Sequence, residues 1–363
     1  MNERLYWLGF SVFSGIGPVR FKRLLDYFGS ARSAWDANAS DLKKARLGDI
    51  TAKRLDEFRR NFSVSDYFQK LRNAGVEFFT LRDFEYPELL SSIKSPPFVL
   101  YVKGDFDFRK TENQKMIAIV GTRKITSYGS QATGLVVRDL VDAGCVIVSG
   151  LAMGVDSKAH NVTIENDGKT IAVLGSGVDI CSPKENSFLY EKILKSGGAI
   201  VSEFPLGQEP QKGSFPSRNR IIAGLCAGVV VTEGAADSGA LITAEDAFLN
   251  NRKVFAVPGP ITSDLSKGPN SLIAKGAVPV SSARDILQAL EITQKPKVRK
   301  VRGETEEEQA IIDFLRVEQL HIDEIIKRTN IQAAQIGTIL SLMEMKGMLR
   351  NLGSGIFALG DAV

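Results

Sequence analysis

Residues 116–150 read MIAIVGTRKITSYGSQATGLVVRDLVDAGCVIVSG. Two β-branched apolar runs, MIAIVG and CVIVSG, flank SYGSQATGLVVRDLVDAG, where apolar residues recur at helical spacing. Strands that are apolar throughout are those of a parallel sheet covered on both faces. Similar runs follow: TIAVLG (170–175), AIVSE (199–203), GVVVT (228–232), KVFAVPG (253–259) and AVPVS (277–281). Helical patterns separate them, namely VDSKAHNVTIEND, ENSFLYEKILKSG, RNRIIAGL and ALITAEDAFLNN. The order predicts an α/β protein with an extended Rossmann-like, doubly wound, mostly parallel sheet. Its ligands belong beyond the carboxyl ends of the strands.

The flanks read differently. Residues 1–75 form a small helical domain: one helix ends near Ser14, Gly15-Ile16-Gly17-Pro18 turns, and VRFKRLLDYF restarts. That turn looks like a helix-hairpin-helix, whose amides can touch a phosphate, with Arg20, Lys22 and Arg23 behind it. A solvated basic face is the plainer reading. Residues 76–292 form the sheet domain, opening on an extended connector, 76–115, where Pro96-Pro97 forbids helix. A basic linker spans 293–304. Residues 305–363 read helix, helix, helix and a two-stranded tip, which is a winged helix. Its recognition-helix position, 332–347, offers Gln332, Gln335, Thr338, Ser341, Glu344 and a single Lys346. Duplex readers bring arginine or lysine there, so a partner-protein or accessory role is preferred.

Composition sets limits. The chain has 363 residues and a formal net charge of +4, too mild to announce nucleic acid by itself. Its three cysteines are Cys145, Cys181 and Cys226, without a CxxC pair, and its two histidines are His160 and His321. No structural zinc set is available, and scattered cysteines in apolar surroundings fit a reducing cytoplasm. No apolar run reaches the roughly 18 residues that a membrane span needs. The apolar start, LYWLGFSVFSGIGPV, lacks a basic n-region and a cleavage site, and reads as helix and turn.

Candidate site residues cluster at strand ends. Gly121-Thr122-Arg123, Ser149-Gly150-Leu151, Gly175-Ser176-Gly177 and Pro258-Gly259-Pro260 all follow apolar runs. Glycine lets backbone amides approach an oxyanion, and the next helix start favours negative charge. Several such turns on one edge predict a row of anion pockets, which suits a polynucleotide backbone. Lys184 follows the third run. Arg218, Asn219 and Arg220 stand at an expected helix start, where cations are disfavoured unless an anion is bound. Those arginines could instead brace Glu203 and Glu233. Ser238-Gly239 opens the next helix. Asp156 and His160, four residues apart on one helix, read as capping and packing residues without a nucleophile beside them.

Common nucleotide motifs are missing. Gly175-Ser176-Gly177 starts a GxGxxG, but Ile180 stands at the third glycine and Glu203 lies too far on to hold a ribose. No GxxxxGK[ST] occurs, and no cofactor or metal is predicted.

The runs IVGTRKITSYG (119–129), VSGLAMGVDSKAH (148–160), TIAVLGSGVDICSPKEN (170–186), SEFPLGQEP (202–210), FPSRNRIIAGL (215–225), SGALITAEDA (238–247) and VFAVPGP (254–260) resemble, in order, the DNA-processing protein A (DprA, or Smf) family. The resemblance covers roughly residues 76–290, and both flanks agree with it. Two departures stand out: Ser182-Pro183 replaces a Tyr-Pro pair, and Glu233-Gly234 replaces Glu-Ala. The first removes an aromatic contact to a base. The resemblance implies a cytoplasmic, non-enzymatic protein that binds single-stranded DNA and forms a homodimer through its Rossmann domain. It also implies delivery of incoming strands to the RecA recombinase in natural transformation, past single-strand-binding protein. Family DNA contacts map onto Arg123, Lys184 and the FPSRNR arginines, Arg218 and Arg220. The alternative is a nucleotide phosphoribohydrolase-like enzyme on a related crevice with Glu245 as its acid. Such enzymes carry a PGGxGT-like run where this chain has GAADSGALIT.

Overall fold

The computed structural model describes residues 2–109, 115–293, 303–329 and 331–359. The chain packs as two units, Met1–Lys295 and Pro296–Val363.

The first unit begins with six helices: α1 (Glu3–Val12), α2 (Pro18–Phe28), α3 (Ala31–Asp36), α4 (Ala39–Lys44), α5 (Asp49–Asn61) and α6 (Val64–Asn73). The apolar start is indeed helix and turn, with Tyr6, Trp7, Leu8 and Phe10 buried. The expected extended connector is more than that. It holds strand β1 (Val76–Thr80), a short helix α7 (Glu88–Ser91) and strand β2 (Val99–Lys103). The two strands pair antiparallel, and β2 pairs antiparallel with the main sheet.

The remainder alternates: β3 (Met116–Val120), α8 (Ser127–Asp142), β4 (Val146–Ser149), α9 (Val155–Glu165), β5 (Thr170–Val173), α10 (Ser187–Lys195), β6 (Ala199–Ser202), α11 (Ser214–Leu225), β7 (Gly228–Val231), α12 (Gly239–Leu249), β8 (Lys253–Ala256), α13 (Lys267–Ala274), β9 (Val278–Pro279) and α14 (Ala283–Ala289). These strands join β1 and β2 in one nine-stranded sheet of order β1-β2-β6-β5-β4-β3-β7-β8-β9, parallel from β6 to β9. Successive residues of each strand feed opposite faces. Ile117, Ile119 and Ile147 pack with residues of α8, α9 and α14, whereas Val120, Val148 and Val231 pack with those of α11 and α12. That two-sided burial is why these strands are near-continuous apolar runs.

The chain runs outward from β3 to β6, then returns to place β7 on the other side of β3. The carboxyl ends of β3 and β7 are therefore the topological switch point, where this architecture opens a crevice. The helical domain is not loose from the sheet. Trp7, Phe10 and Phe21 share one buried cluster with Phe78, Tyr101 and Ile200. Phe21 of α2 stacks on Phe98, just ahead of β2, with ring centroids 4.1 Å apart.

The second unit contains α15 (Glu306–Leu315), β10 (Leu320–His321), α16 (Ile322–Thr329), α17 (Ala333–Met345), β11 (Leu349–Gly353) and β12 (Ile356–Leu359). Its three strands lie in the order β10-β12-β11, around a core of Ile311, Ile325, Leu340 and Phe357. This is the winged helix the sequence predicts, with one strand more than the expected two. Most of the basic linker, residues 294–302, lies outside the described residues.

Candidate functional site

A cleft of about 360 Å³ opens at the switch point. The β3–α8 loop contributes Gly121, Thr122 and Arg123; the start of α12 contributes Ser238 and Gly239; α11 contributes Phe215, Arg218 and Asn219. Seven of the candidate DNA-contact residues thus meet here, and Asp156 lines the cleft beside them. Phe215, Pro216 and Ile242 also line it, although no feature of the sequence singles them out.

The Arg123 loop is held from both sides. The Thr122 amide donates to the Glu233 carbonyl beyond β7 (2.7 Å), and the Thr122 carbonyl accepts from the Val155 amide (3.1 Å). Gly154 takes a left-handed conformation (φ +82°), and a Cβ there would sit 2.3 Å from the Thr122 carbonyl. Arg123 itself is exposed and makes no ion pair among the described residues. Its guanidinium lies 5.7 Å from the ring centroid of Phe215. A planar cation beside an aromatic face can fork onto a phosphate while a base stacks nearby. Across the cleft, the Ser238 side chain caps α12, and Asn219 donates to the Gly239 carbonyl at 3.2 Å.

The predicted row of pockets is shorter than expected, because the protein's own groups fill most of the turns. At the β4 turn, the amides of Gly150 and Ala152 donate to the Asp156 carboxylate (3.1 and 3.3 Å). Ser149 is buried and donates to the Ile119 carbonyl at 2.6 Å. At the β5 turn, Gly175, Ser176 and Gly177 are all buried; the Gly177 amide donates to Gln208 and Ser176 to Ile180. Gly259 exchanges hydrogen bonds with the Asn270 side chain. At the start of α8, the Glu233 carboxylate accepts from the Thr126 amide (3.0 Å) and hydroxyl (2.6 Å). Carboxylates, carbonyls and a side-chain amide of the chain itself satisfy the donors expected to meet a ligand.

The two arginines of α11 are also spoken for. The helix begins at Ser214, so Arg218 and Arg220 lie a turn inside it, beyond the reach of the dipole argument. Arg218 is only 6% exposed and donates to the carbonyls of Gly150 (2.6 Å) and Val173, tying the ends of β4 and β5. Burial lowers the Arg218 pKa from its ordinary value, and the nearby Asp156 opposes that. Burial likewise raises Asp156 above the ordinary carboxylate range, with Arg218 opposing. Arg220 pairs with Glu203, whose carboxyl burial also pushes up. Glu233 is braced by Thr126, not by an arginine. Of Arg218 and Arg220, only Arg218 lines the cleft.

His160 packs as the sequence reading held. It is fully buried, with Nδ1 2.7 Å from the Thr170 hydroxyl. Thr170 donates its own proton to the Ile147 carbonyl (2.8 Å), so His160 donates through Nδ1. Nε2 has no partner among the described residues, and burial drives the imidazole pKa down to about 3. Lys184 is exposed in a short turn that Asn186 anchors to the Leu151 carbonyl, and does not line the cleft. Glu245, the acid of the enzyme reading, is exposed on α12 and does not line it either.

A family model described as DNA recombination-mediator protein A matches residues 77–291, well over half of the chain. The chain belongs to that family. A DprA winged helix domain model matches residues 295–355. Protein Smf of Synechocystis is 40% identical over 291 residues, covering 80% of this chain and 73% of its own. DNA processing protein DprA of Streptococcus pneumoniae is 42% identical over 232 residues, covering 64% and 80%. The X-ray structure of the pneumococcal protein superposes with a TM-score of 0.67 at 36% identity, covering 79% of this chain and 97% of that one. A Helicobacter pylori DNA processing protein A, whose structure addresses its single-stranded DNA binding mode, gives a TM-score of 0.52 at 30% identity, covering 59% and 96%. Among the described residues no helix is long and apolar enough to cross a membrane, and no cluster of candidate metal ligands occurs.

Proposed function

We propose that this protein binds single-stranded DNA through its phosphates at the carboxyl edge of the sheet, without turning it over chemically. The observation that carries this reading is the switch-point cleft, where exposed Arg123 stands beside Phe215 with no ion-pair partner among the described residues. A phosphate supplies the missing anion, and a base supplies the stacking surface. The Helicobacter pylori relative, which binds single-stranded DNA, supports the same ligand class. Lys184, exposed beyond β5, is a further phosphate contact in this reading.

The bound strand is handed to the RecA recombinase in natural transformation, and the protein works in the cytoplasm as a homodimer through its sheet domain. The winged helix is an accessory or partner-binding unit. Its described residues, 303–329 and 331–359, hold five basic and nine acidic side chains, a net −4 that opposes contact with a polyanion.

Fluorescent oligothymidine titrated at several salt concentrations tests the DNA reading. Log affinity should fall with log salt by about 0.7 per phosphate engaged, and a mixed-sequence strand should bind equally well. Salt-independent binding, or a strong sequence preference, would contradict it. RecA filament assembly on a strand coated with single-strand-binding protein tests the hand-over: the protein should accelerate it.

A further inference from the structure

The net positive charge of the first unit is carried by its helical domain, not by the sheet domain that holds the cleft. Residues 1–62 hold twelve basic and seven acidic side chains, a net +5, whereas residues 63–293 hold 24 and 25, a net −1. Much of the helical domain's basic charge is neutralised locally: Lys22 pairs with Asp26, Arg32 with Asp36, Lys43 with Asp49 and Lys44 with Asp41. Arg20, Arg23, Arg46 and Arg54 are exposed and make no ion pair among the described residues.

Those arginines form a track. Arg20, Arg23 and Tyr27 follow at i, i+3 and i+7 along α2, one stripe of its surface. Tyr27 is 51% exposed, a ring open to stacking. Arg23, Tyr27 and Arg46 line one shallow groove. At the other end of the stripe, Arg20 donates to the Gly15 carbonyl (2.7 Å) and Arg54 to the Ser14 carbonyl (3.5 Å). Both therefore gather at the Gly15-Ile16-Gly17 turn. That turn faces the sheet's carboxyl edge. Gly15, Gly17 and Pro18 line a cavity together with Glu203, Phe204 and Pro205, which follow β6. The Phe21–Phe98 stack fixes α2 against β2. Between β3, where the Arg123 cleft begins, and β6 lie three strand-to-strand steps, about 14 Å.

We infer that the helical domain carries a second single-stranded DNA contact, the Arg20–Arg23–Tyr27 stripe of α2 with Arg46 and Arg54, reached by a strand that leaves the Arg123 cleft along the carboxyl edge of the sheet. The arginines take phosphates and Tyr27 stacks a base. This rests on the proposed single-stranded DNA binding, and it adds a length dependence that the cleft alone does not produce.

The test uses the full chain and oligothymidines of about 5 and about 16 nucleotides, the span of ordinary single-module site sizes. Arg23→Ala with Arg46→Asn removes two track charges; asparagine tolerates the left-handed backbone of Arg46 (φ 59°). A charge-reversed pair, R23E/R46E, acts in the same direction more strongly. The expected result is about tenfold weaker binding of the longer strand, a salt slope shallower by about 1.4, and unchanged binding of the shorter strand. Unchanged affinity and slope on the longer strand, while Arg123→Ala still weakens both, overturns the second contact and leaves the cleft standing. If the wild-type chain binds neither strand, the underlying reading fails, and this inference fails with it.

Discussion

The buried guanidinium of Arg218 donates to the backbone carbonyl of Gly150 at 2.6 Å, and a Cβ on Gly150 would sit 2.3 Å from that same Nη1. A cation one would assign to DNA is therefore a strut beneath the cleft, joining the ends of β4 and β5. Arg218→Ala would leave two buried carbonyls unpaired and the Asp156 carboxylate without its nearest opposing charge. We expect a loss of about 3 kcal/mol in urea unfolding, whereas removal of a solvent-exposed DNA contact stays within about 0.5 kcal/mol. Gly150→Ala should destabilise in the same direction.

Gly154 sits under the Arg123 loop at φ +82°, close against the Thr122 carbonyl. Gly154→Ala imposes both a disfavoured backbone and a steric overlap, together costing about 1–3 kcal/mol. Because that overlap falls on the loop that carries Arg123, oligothymidine affinity should fall along with thermal stability. An affinity unchanged in a destabilised variant would mean that the loop's placement does not matter to binding.

The pH profile of stability has a specific signature at His160. Its pKa in the folded protein is about 3, below the unfolded value near 6.5. The unfolded chain therefore binds the extra proton first. The stability tied to neutral His160 is complete above pH 6.5 and is lost as pH falls toward 3. Asp156 acts in the opposite sense. Its folded pKa is raised, so its contribution is complete below 3.8 and is lost as pH rises through the folded value. Comparing wild type with His160→Leu isolates the first effect. Between pH 6 and 4 the wild-type stability should fall more steeply, by at most about 1.4 kcal/mol per pH unit. Parallel profiles would show that His160 is not neutral and buried.

Removing the second unit, residues 296–363, should leave oligothymidine affinity within about twofold, since that unit is acidic over its described residues and its α17 is poor in basic side chains. Gel-shift or anisotropy measurements on the truncated chain check this directly. Lost binding would move the DNA contact to the winged helix.

The main sheet was legible because parallel strands buried on both faces read as near-continuous apolar runs, and β3 to β8 do, with polar residues only at strand ends: Ser149, Thr170, Ser202 and the exposed Lys253. Strand β1 escaped because, at the sheet margin, it alternates; Val76, Phe78 and Thr80 are buried, Glu77 exposed and Phe79 half-buried. Two residues of β10 were too few to register beside the helix that follows. Within the site, Arg123 was legible from its place after an apolar strand and a glycine. The fates of Ser149, Gly175 and Gly177 were not. Whether a glycine turn is open depends on what reaches it from elsewhere in the chain. Asp156 fills the β4 turn, and the loop around Gln208 fills the β5 turn. Spacing alone does not report such tertiary partners.

In the proposed binding mode, Arg123 holds a DNA phosphate at the switch point. Oligothymidine binding by Arg123→Ala, measured across a range of salt concentrations beside wild type, tests it most directly. Affinity should be about tenfold or more lower and the salt slope shallower by about 0.7, with thermal stability unchanged. An affinity and slope equal to those of wild type would contradict it.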